Sequence, residues 1–272
     1  MTSLIRFALA SLLLVAAPGF AQKFEPQVGQ AGKDVIWVPT PDEVVDRMLT
    51  MAQLGPNDFH MDLGSGDGKI VIAAAKRGAK ALGIEYNPDM VKLAQDNAQK
   101  QGVAEKASFR RADIFQTDFS QATVITLYLL PALNMKLRPQ LLQMRPGTRV
   151  VSHSFTMEDW EADEISTMDG RRAYFWVVPA QVMGSWTLDA GGGQKTELSL
   201  EQTFQKINGT VTLGPVHGGL REARLRGADI GFAYVDQKGV RRDFTGHVNG
   251  RQMEGTFRDE NGAEGRWSAT KK

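Results

Sequence analysis

The fold of this chain is decided by the stretch HMDLGSGDGKIVI, residues 60–72. An apolar run leads into a glycine-rich turn, and a segment with the apolar period of a helix follows. Gly64, Gly66 and Gly68 permit a tight turn and leave room for a ligand close to the backbone. Because open α/β sheets bind ligands at the carboxyl ends of their strands, we predict a ligand site at this turn.

The sequence around this turn repeats the same alternation of strand and helix. Between residues 34 and 179, short apolar runs alternate with longer helical patterns, which is typical of a parallel sheet in an α/β domain. The predicted strands are residues 59–63, 80–85, 107–111, 123–128 and 148–153, with helices in the intervals. One helix is predicted to begin near Asp42, and another to have Asn87 as its N-cap and Pro88 as its first residue.

A change of pattern after Val182 predicts a second domain, residues 183–272, that is entirely β. Alternating segments at 196–200, 210–213, 230–235 and 265–269 are separated by Gly and Asn. About eight strands would fit, which suits a small antiparallel barrel or sandwich. The three glycines at 191–193 are predicted to form a hairpin loop, and Trp186 and Trp267 to lie in the core.

Composition excludes several classes of function. The 272 residues carry a formal net charge of +1 without a long basic run, so we expect no nucleic-acid partner. The absence of cysteine excludes disulfides, thiolate zinc sites and thiol catalysis. Neither a metal-ligand cluster nor a Ser-His-Asp arrangement is evident, so we predict neither metal nor covalent catalysis.

The N-terminal 21 residues resemble a secretory signal peptide. Arg6 precedes an apolar run, and Pro18, Gly19 and Ala21 follow it in the manner of a cleavage site. The run is shorter than the roughly 20 residues of a membrane-spanning helix, so the pattern favours cleavage after Ala21 over a permanent anchor. We therefore expect an exported, periplasmic protein.

The side chains of the glycine-rich turn indicate which ligand it binds. The spacing is Gly-x-Gly-x-Gly rather than the Gly-x-Gly-x-x-Gly of dinucleotide-binding folds. Asp62 and Asp67 place carboxylates where a pyrophosphate would need hydrogen-bond donors and positive potential. S-adenosylmethionine (SAM) has no phosphate and carries a sulfonium and an ammonium, so this turn favours SAM.

Two further strand ends complete the predicted ligand edge. Glu85 ends the second strand, where its carboxylate would accept hydrogen bonds from ribose hydroxyls. Asp113 ends the third strand and would accept from the adenine amino group, while Ile114 packs on the ring. Each acid alone could be an ordinary loop residue or helix cap, but together with the glycine turn they favour cofactor binding.

These stretches resemble the seven-strand lysine methyltransferases. The similarity is carried by DLGSGDG at 62–68, GIEYNP at 83–88 and PGTRVVS at 146–152, with WVPTP at 37–41 matching that family's upstream motif. Within that family, the stretches look like the enzymes that methylate lysines of the mitochondrial adenine nucleotide carrier and of the ATP synthase c-subunit. The non-SET histone lysine methyltransferases are similar more distantly. The resemblance covers residues 34–160 and implies a Rossmann-like class I methyltransferase sheet with helices on both faces.

The resemblance also implies the site residues. It places SAM at Gly64, Gly66, Gly68, Glu85 and Asp113, and we include the other cofactor-facing positions of the same motifs. These are Thr40, Asp62, Ser65, Tyr86 and Ile114.

The fourth strand departs from many methyltransferases because it lacks an Asp/Asn-Pro-Pro-aromatic signature, which weakens the case for amide and base methylation. Lysine methylation needs less, because the protein mainly aligns a neutral amine and excludes water, which an apolar, aromatic channel can do. We assign Tyr128 and His153 as candidate catalytic residues, with Trp37 and Phe155 as further candidates for the channel wall.

Three functions remain open at this point. The first is a methyltransferase acting on a lysine of a protein, with an envelope or membrane protein as the expected partner. The second is a non-catalytic envelope binding protein whose retained fold only senses a nucleoside-like ligand or scaffolds the β domain. The third is a small-molecule methyltransferase, because a fold alone does not choose the acceptor.

Overall fold

The computed structural model describes residues 24–191 and 195–272. The predicted signal peptide lies outside the described residues, and so do Gly192 and Gly193 of the predicted hairpin loop. Within the two described ranges, no helix has the length and apolar character required to cross a membrane.

The N-terminal domain is built on a seven-stranded sheet with the strand order β3-β2-β1-β4-β5-β7-β6. Its strands are β1 Phe59–Leu63, β2 Lys80–Glu85, β3 Ala107–Arg111, β4 Val124–Leu127, β5 Arg149–His153, β6 Glu164–Met168 and β7 Arg171–Val177. The first five strands pair in parallel, whereas β7 is antiparallel to both of its neighbours. The order reverses at β1, which places a crevice at the carboxyl ends of β1 and β4.

Helices cover both faces of this sheet. They are α1 Asp42–Met51, α2 Lys69–Lys76, α3 Pro88–Lys100 and α4 Pro131–Leu141. The buried residues of α1 and α2 form one apolar cluster with Val124 and Val151, and those of α4 join Ile125 and Val150 on the other face. Asn87 caps α3 as predicted, because its side chain accepts from the backbone N–H groups of two residues in the first turn.

Two expectations about this domain were wrong. The interval between β3 and β4 contains turns instead of a helix, because Asp113 and Asp118 accept from nearby backbone N–H groups at Phe115 and Ser120. Such local bonds compete with helix formation. The sheet also has seven strands and not five, since β6 and β7 follow the last predicted strand.

The C-terminal domain is a nearly closed antiparallel barrel of nine strands. They are β8 Gly184–Asp189, β9 Lys195–Thr203, β10 Lys206–Leu213, β11 Val216–Gly219, β12 Arg221–Arg226, β13 Asp229–Val235, β14 Arg241–Asn249, β15 Gln252–Asp259 and β16 Glu264–Lys271. Only Leu220 separates β11 from β12, so one stretch of chain pairs with β10 and then with β13. This brings the two edges of the sheet together.

Aromatic residues fill the core of the barrel. Trp186 and Trp267 are buried as predicted, and Phe232 stacks on Phe244 with ring centroids 4.9 Å apart. The tryptophan N–H groups donate to backbone carbonyls, which satisfies the polar atoms that these rings carry into the core.

Two turns of the barrel contact the N-terminal domain or the junction that follows it. At the turn between β9 and β10, Phe204 stacks on Trp160 at 6.1 Å, and Lys206 forms a 2.7 Å ion pair with Glu161. At the turn between β12 and β13, the carbonyl of Gly227 accepts from the backbone N–H of Ala180. The barrel is therefore attached through hairpin ends rather than through the face of its sheet.

Candidate functional site

The carboxyl ends of β1, β2 and β4 open into a cavity of about 260 Å³. It brings together most of the residues that the sequence analysis assigned to the cofactor. Those that line it are Thr40, Asp62, Gly64, Ser65, Gly66, Glu85, Tyr86, Asp113 and Ile114, and the predicted catalytic Tyr128 lines it too. Gly68 and His153 are not among the lining residues.

The glycine turn is shaped by left-handed backbone and by the absence of side chains. Gly66 has a φ of 53°, and a Cβ there would lie 2.8 Å from Nε1 of Trp37. Gly68, with a φ of 84°, is the N-cap of α2, and a Cβ there would collide with Phe109. Gly66 therefore keeps space at the cavity, whereas Gly68 permits the packing of α2 beneath it.

Asp62 is a buried carboxylate at the centre of the site. Its Oδ1 accepts a 2.7 Å hydrogen bond from Thr126 Oγ1, and Oδ2 has no partner among the residues that the structure describes. Burial raises the pKa of Asp62 to about 7, and the charges of Glu85 and Asp67 act in the same direction. A cation in the cavity would stabilise the ionised form.

Glu85 is fixed by the backbone at the end of β2. One carboxylate oxygen accepts from the N–H of Gly66 at 3.0 Å, and the other accepts from the N–H of Asn87 at 2.8 Å. Each oxygen keeps a second lone pair, so the carboxylate can still accept bonds from two adjacent hydroxyls. The geometry suits the ribose contact that the sequence predicts.

Asp113 is paired with a residue that the sequence analysis did not single out. Lys33 Nζ lies 2.6 Å from Oδ2, and Oδ1 accepts from the N–H of Phe115. The hydrogen bond from Lys33 lowers the pKa of the Asp113 carboxyl. Lys33 Nζ is also 4.9 Å from the centre of the Tyr86 ring.

Lys33 belongs to a strap, residues 29–40, that lies across the cavity. The backbone of Trp37 exchanges hydrogen bonds with Gly29 and Gln30, and Ala31 bridges to Ile36, so the strap forms a short hairpin. Residues 30–40 all line the cavity. Any ligand that fills the cavity therefore lies between the strap and the sheet.

An aromatic wall forms the side of the cavity next to β4 and β5. Tyr128 follows β4, and its ring centroid lies 4.0 Å from that of His153 and 6.1 Å from that of Phe155. Tyr128, Phe155 and Trp37 line the cavity together with Leu129, Leu130 and Leu133. This wall can exclude water from a group that enters beside the cofactor edge.

His153 lies behind this wall. It is 2% exposed, and its Nδ1 is 3.2 Å from Oγ1 of Thr40. Burial, with a smaller effect of Arg171, lowers its pKa to about 4, so the ring is neutral at physiological pH. Its position favours support of Tyr128 and Thr40 over direct contact with a substrate.

The acids of the cavity provide a test of the predicted cofactor. Asp34, Asp62, Asp67, Glu85 and Asp113 line it, against Lys33 and Lys69 as the two basic lining residues. This set attracts cationic groups and hydrogen-bond donors, which matches the ammonium, the ribose hydroxyls and the adenine amino group of SAM. A phosphate would meet net repulsion. Among the described residues, no group of three His, Asp or Glu side chains could hold a metal ion.

Sequence reasoning missed three contributors to this site. Lys33 and Asp113 are 80 residues apart, and no local signal links them. Thr126, which donates to Asp62, and His60, whose Nε2 lies 2.8 Å from Thr126 Oγ1, were also overlooked. His60 is two residues from Asp62 on the same strand and therefore faces the same side of the sheet. Ser65, by contrast, was assigned to the cofactor, but its Oγ is buried without a partner among the described residues and lies against Gly83.

Known proteins with similar sequences match this part of the chain. A family model described as the ANTKMT methyltransferase domain matches residues 62–164. A protein-lysine N-methyltransferase of Saccharolobus islandicus is 44% identical over 134 residues, which are 48% of this chain and 83% of that protein. The human lysine N-methyltransferase of the ATP synthase c-subunit is 30% identical over 131 residues, which are 48% of this chain and 56% of that protein.

A solved structure matches the same domain. It is described as an RNA methyltransferase from Salinibacter ruber in complex with S-adenosyl-L-homocysteine. It is 51% identical, covers 53% of this chain and 96% of its own, and superposes with a TM-score of 0.52. These similarities concern about half of the chain and the domain that contains the cavity.

Proposed function

This chain belongs to the SAM-dependent protein-lysine methyltransferase family, and from that premise we propose that it methylates the side-chain amine of a lysine in a protein substrate. The predicted resemblance and the predicted SAM cofactor are confirmed by the relatives and by the bound S-adenosylhomocysteine of the Salinibacter structure. Membership in this family favours an enzyme over the non-catalytic envelope binding protein.

The observation that carries the proposal is the division of the cavity into two chemically different sides. The acids Asp62, Glu85 and Asp113 form the cofactor side, and the wall of Tyr128 and Phe155 forms the other. A lysine that enters along an apolar wall loses water, which lowers its pKa and favours the free amine. SAM, when bound, supplies an activated methyl group, so the residues of the wall need only align the amine and exclude water.

We propose an in-line approach of the amine, with Tyr128 as the residue beside the acceptor. Its ring is held between His153 and Phe155, which fixes its orientation. His153 acts as a neutral support for that ring and for Thr40. No residue of the wall is required as a strong base, because proton loss from the lysine precedes transfer.

The Salinibacter relative raises RNA as a competing acceptor. This chain has a formal net charge of +1, and its cavity has more acidic than basic lining residues. Both features disfavour a phosphate backbone at the site. Protein lysine is therefore the acceptor that we propose, and RNA is an outcome that the test must be able to report.

The test is methyl transfer from labelled SAM to fractionated extract of the source cells. The purified full chain is incubated with protein, RNA and low-mass fractions, and tandem mass spectrometry locates the label. We expect methylated lysine in the protein fraction. Label in RNA nucleotides or in a small molecule would replace the proposed acceptor, and label in no fraction would contradict enzymatic activity on these substrates.

A matched pair of glycine variants shows whether transfer depends on the cavity. Gly66→Ala places a Cβ against Trp37, whereas Gly102→Ala introduces the same strain at a left-handed glycine with no atom within 4 Å. We expect Gly66→Ala to abolish S-adenosylhomocysteine binding and transfer, and Gly102→Ala to preserve both.

Export of the chain and an envelope or membrane protein as substrate are further parts of the proposal. N-terminal sequencing of the protein from cell fractions tests the export.

A further inference from the structure

A buried chain of hydrogen bonds lies on one face of the sheet below the cavity and ends at Asp62. His60 Nε2 lies 2.8 Å from Thr126 Oγ1, and Thr126 Oγ1 donates to Asp62 Oδ1 at 2.7 Å. All three side chains lie on one face because His60 and Asp62 are two residues apart on β1 and Thr126 pairs with Asp62 on β4. Their neighbours on this face, Val124 and Val151, are completely buried and apolar.

The direction of the hydrogen bonds follows from the number of protons available. Thr126 has one hydroxyl proton, which it gives to Asp62, so it must accept from His60. His60 therefore carries its proton on Nε2, and Nδ1 is a buried acceptor without a partner in the described part of the chain. Burial lowers the pKa of His60 to about 3, which keeps the ring neutral.

We propose that Thr126 and His60 are positioning residues for the cofactor, because their hydrogen-bond chain orients the Asp62 carboxylate so that Oδ2 receives the cofactor's ammonium. This inference rests on the proposed function, in which Asp62 belongs to the cofactor side of the cavity, and it further places the ammonium of the cofactor at Asp62. The hydrogen-bond chain fixes one oxygen of the Asp62 carboxylate, and the dipoles of its two hydrogen bonds point towards that oxygen. Burial of a histidine with an unpaired nitrogen lowers the stability of the fold. Orientation of Asp62 gives this histidine a function that accounts for its presence despite that loss.

The hydrogen-bond chain also links the tautomer of His60 to the charge of Asp62. When Asp62 is ionised, the donors point towards it and Nε2 of His60 is protonated. If Asp62 is protonated, its O–H donates a hydrogen bond to Thr126. The threonine hydroxyl then donates to Nε2 of His60, and the imidazole proton lies on Nδ1. Glu85 and Asp67 on the cofactor side and Asp58 near His60 are the charges that influence these groups.

Binding measurements on variants separate orientation of Asp62 from general stability. The probes are S-adenosylhomocysteine, which has the ammonium, and 5′-methylthioadenosine, which lacks the amino-acid portion. We expect Thr126→Val to weaken binding of the first about tenfold and to leave binding of the second unchanged. Thr126→Ser restores the hydroxyl and should restore affinity, and His60→Gln should rescue what His60→Leu loses.

A threonine at the other end of the same two strands provides the control. Thr123 Oγ1 accepts from the backbone N–H of Phe59 and donates to Asp58, so Thr123→Val removes a comparable hydroxyl away from the cavity. We expect Thr123→Val to lower the melting temperature without a change in the ratio of the two affinities. Equal weakening of both ligands by Thr126→Val would overturn the proposal.

Two further results distinguish failure of this inference from failure of the site assignment. If Asp62→Asn leaves S-adenosylhomocysteine binding intact, the ammonium does not lie at Asp62 and both proposals about this residue are wrong. If Asp62→Asn weakens binding but Thr126→Val does not, only the proposed role of the hydrogen-bond chain is wrong.

Nitrogen-15 NMR of the unaltered protein adds a measurement that requires no variant, because the S-adenosylhomocysteine complex should contain His60 protonated on Nε2. The Nδ1 tautomer in that complex would contradict the proposal.

Discussion

In the proposed site, Asp62 is the residue at which protonation and cofactor binding meet. Its pKa of about 7 lies above the ordinary 3.8, so the free protein loses stability as the pH rises from about 4 to 7. The ammonium of the ligand requires the carboxylate and itself loses a proton above about pH 8. We therefore expect S-adenosylhomocysteine affinity to rise about fivefold from pH 6 to a maximum near pH 7.5 and then to fall. Titration calorimetry across this range tests the prediction.

The control for this pH profile is Asp62→Asn. It should remove the rise below pH 7.5 and keep the fall above pH 8, because the second titration belongs to the ligand. An unchanged rise in this variant would assign the titration to another group, with Asp67 the first candidate because burial raises its pKa as well.

Tyr128 is expected to act on the methyl acceptor and not on the cofactor. Its ring lines the cavity and packs against His153 and Phe155. Tyr128→Ala opens the wall to water, so we expect kcat/KM for the protein substrate to fall by about 10- to 100-fold with little change in S-adenosylhomocysteine affinity. Tyr128→Phe keeps the ring and should retain most activity. A large loss in Tyr128→Phe would instead assign a role to the hydroxyl.

Sequence could identify the acids of this site but not their partners. Asp62, Glu85 and Asp113 each lie at or just after the carboxyl end of a strand, and the carboxyl ends of parallel strands meet at one edge. Lys33 reaches Asp113 across 80 residues, which no periodicity encodes. His153 illustrates the opposite error, because its place at a strand end suggested contact with substrate while the structure buries it behind Tyr128.

Among the elements, the strap of residues 29–40 is expected to control entry and exit of the cofactor. Lys33 fastens it to Asp113, and Trp37 rests on Gly66. Lys33→Ala removes the ion pair, so we expect S-adenosylhomocysteine to associate and dissociate about threefold faster, with a smaller change in Kd. Stopped-flow fluorescence measures both rate constants. Lys33→Arg keeps the pair and is the matched control, and unchanged rates in Lys33→Ala would mean that the strap does not limit exchange.

Prediction of the elements succeeded where burial dominates the sequence pattern. The bounds of β1 and β2 agree with the predicted strands because each apolar run ends at a turn residue or an acid. By contrast, β6 is largely exposed, and β7 begins with Arg171 and Arg172, so neither has the continuous apolar pattern of an inner strand. Antiparallel edge strands are less visible in a sequence for this reason.

At the scale of the whole molecule, the barrel contacts the loop that carries part of the aromatic wall of the cavity. Phe155 lines the cavity, and Trp160 follows in the same loop and is completely buried. Phe204 at the tip of the β9–β10 hairpin stacks on Trp160, and Arg138 lies 5.3 Å from the Phe204 ring. The barrel therefore contacts the loop that forms the aromatic wall, whereas no equivalent contact is described at the glycine turn.

Phe204→Ala is expected to loosen this connection between the domains. Removal of a half-buried ring from the junction should cost about 2 kcal/mol and split thermal unfolding into two transitions. Because the loop behind Phe155 loses its support, we expect transfer to the protein substrate to fall severalfold while S-adenosylhomocysteine affinity stays within twofold. Calorimetry and transfer assays on the full chain measure these effects.

Phe257→Ala is the matched control, since its ring contacts Phe244 inside the barrel and not the junction. It should destabilise the barrel and leave transfer by the folded protein unchanged. If Phe204→Ala and Phe257→Ala reduce transfer equally, stability of the barrel and not its contact with Trp160 determines activity. If neither variant alters transfer, the barrel does not support the wall, and its hairpin contacts serve only to attach it.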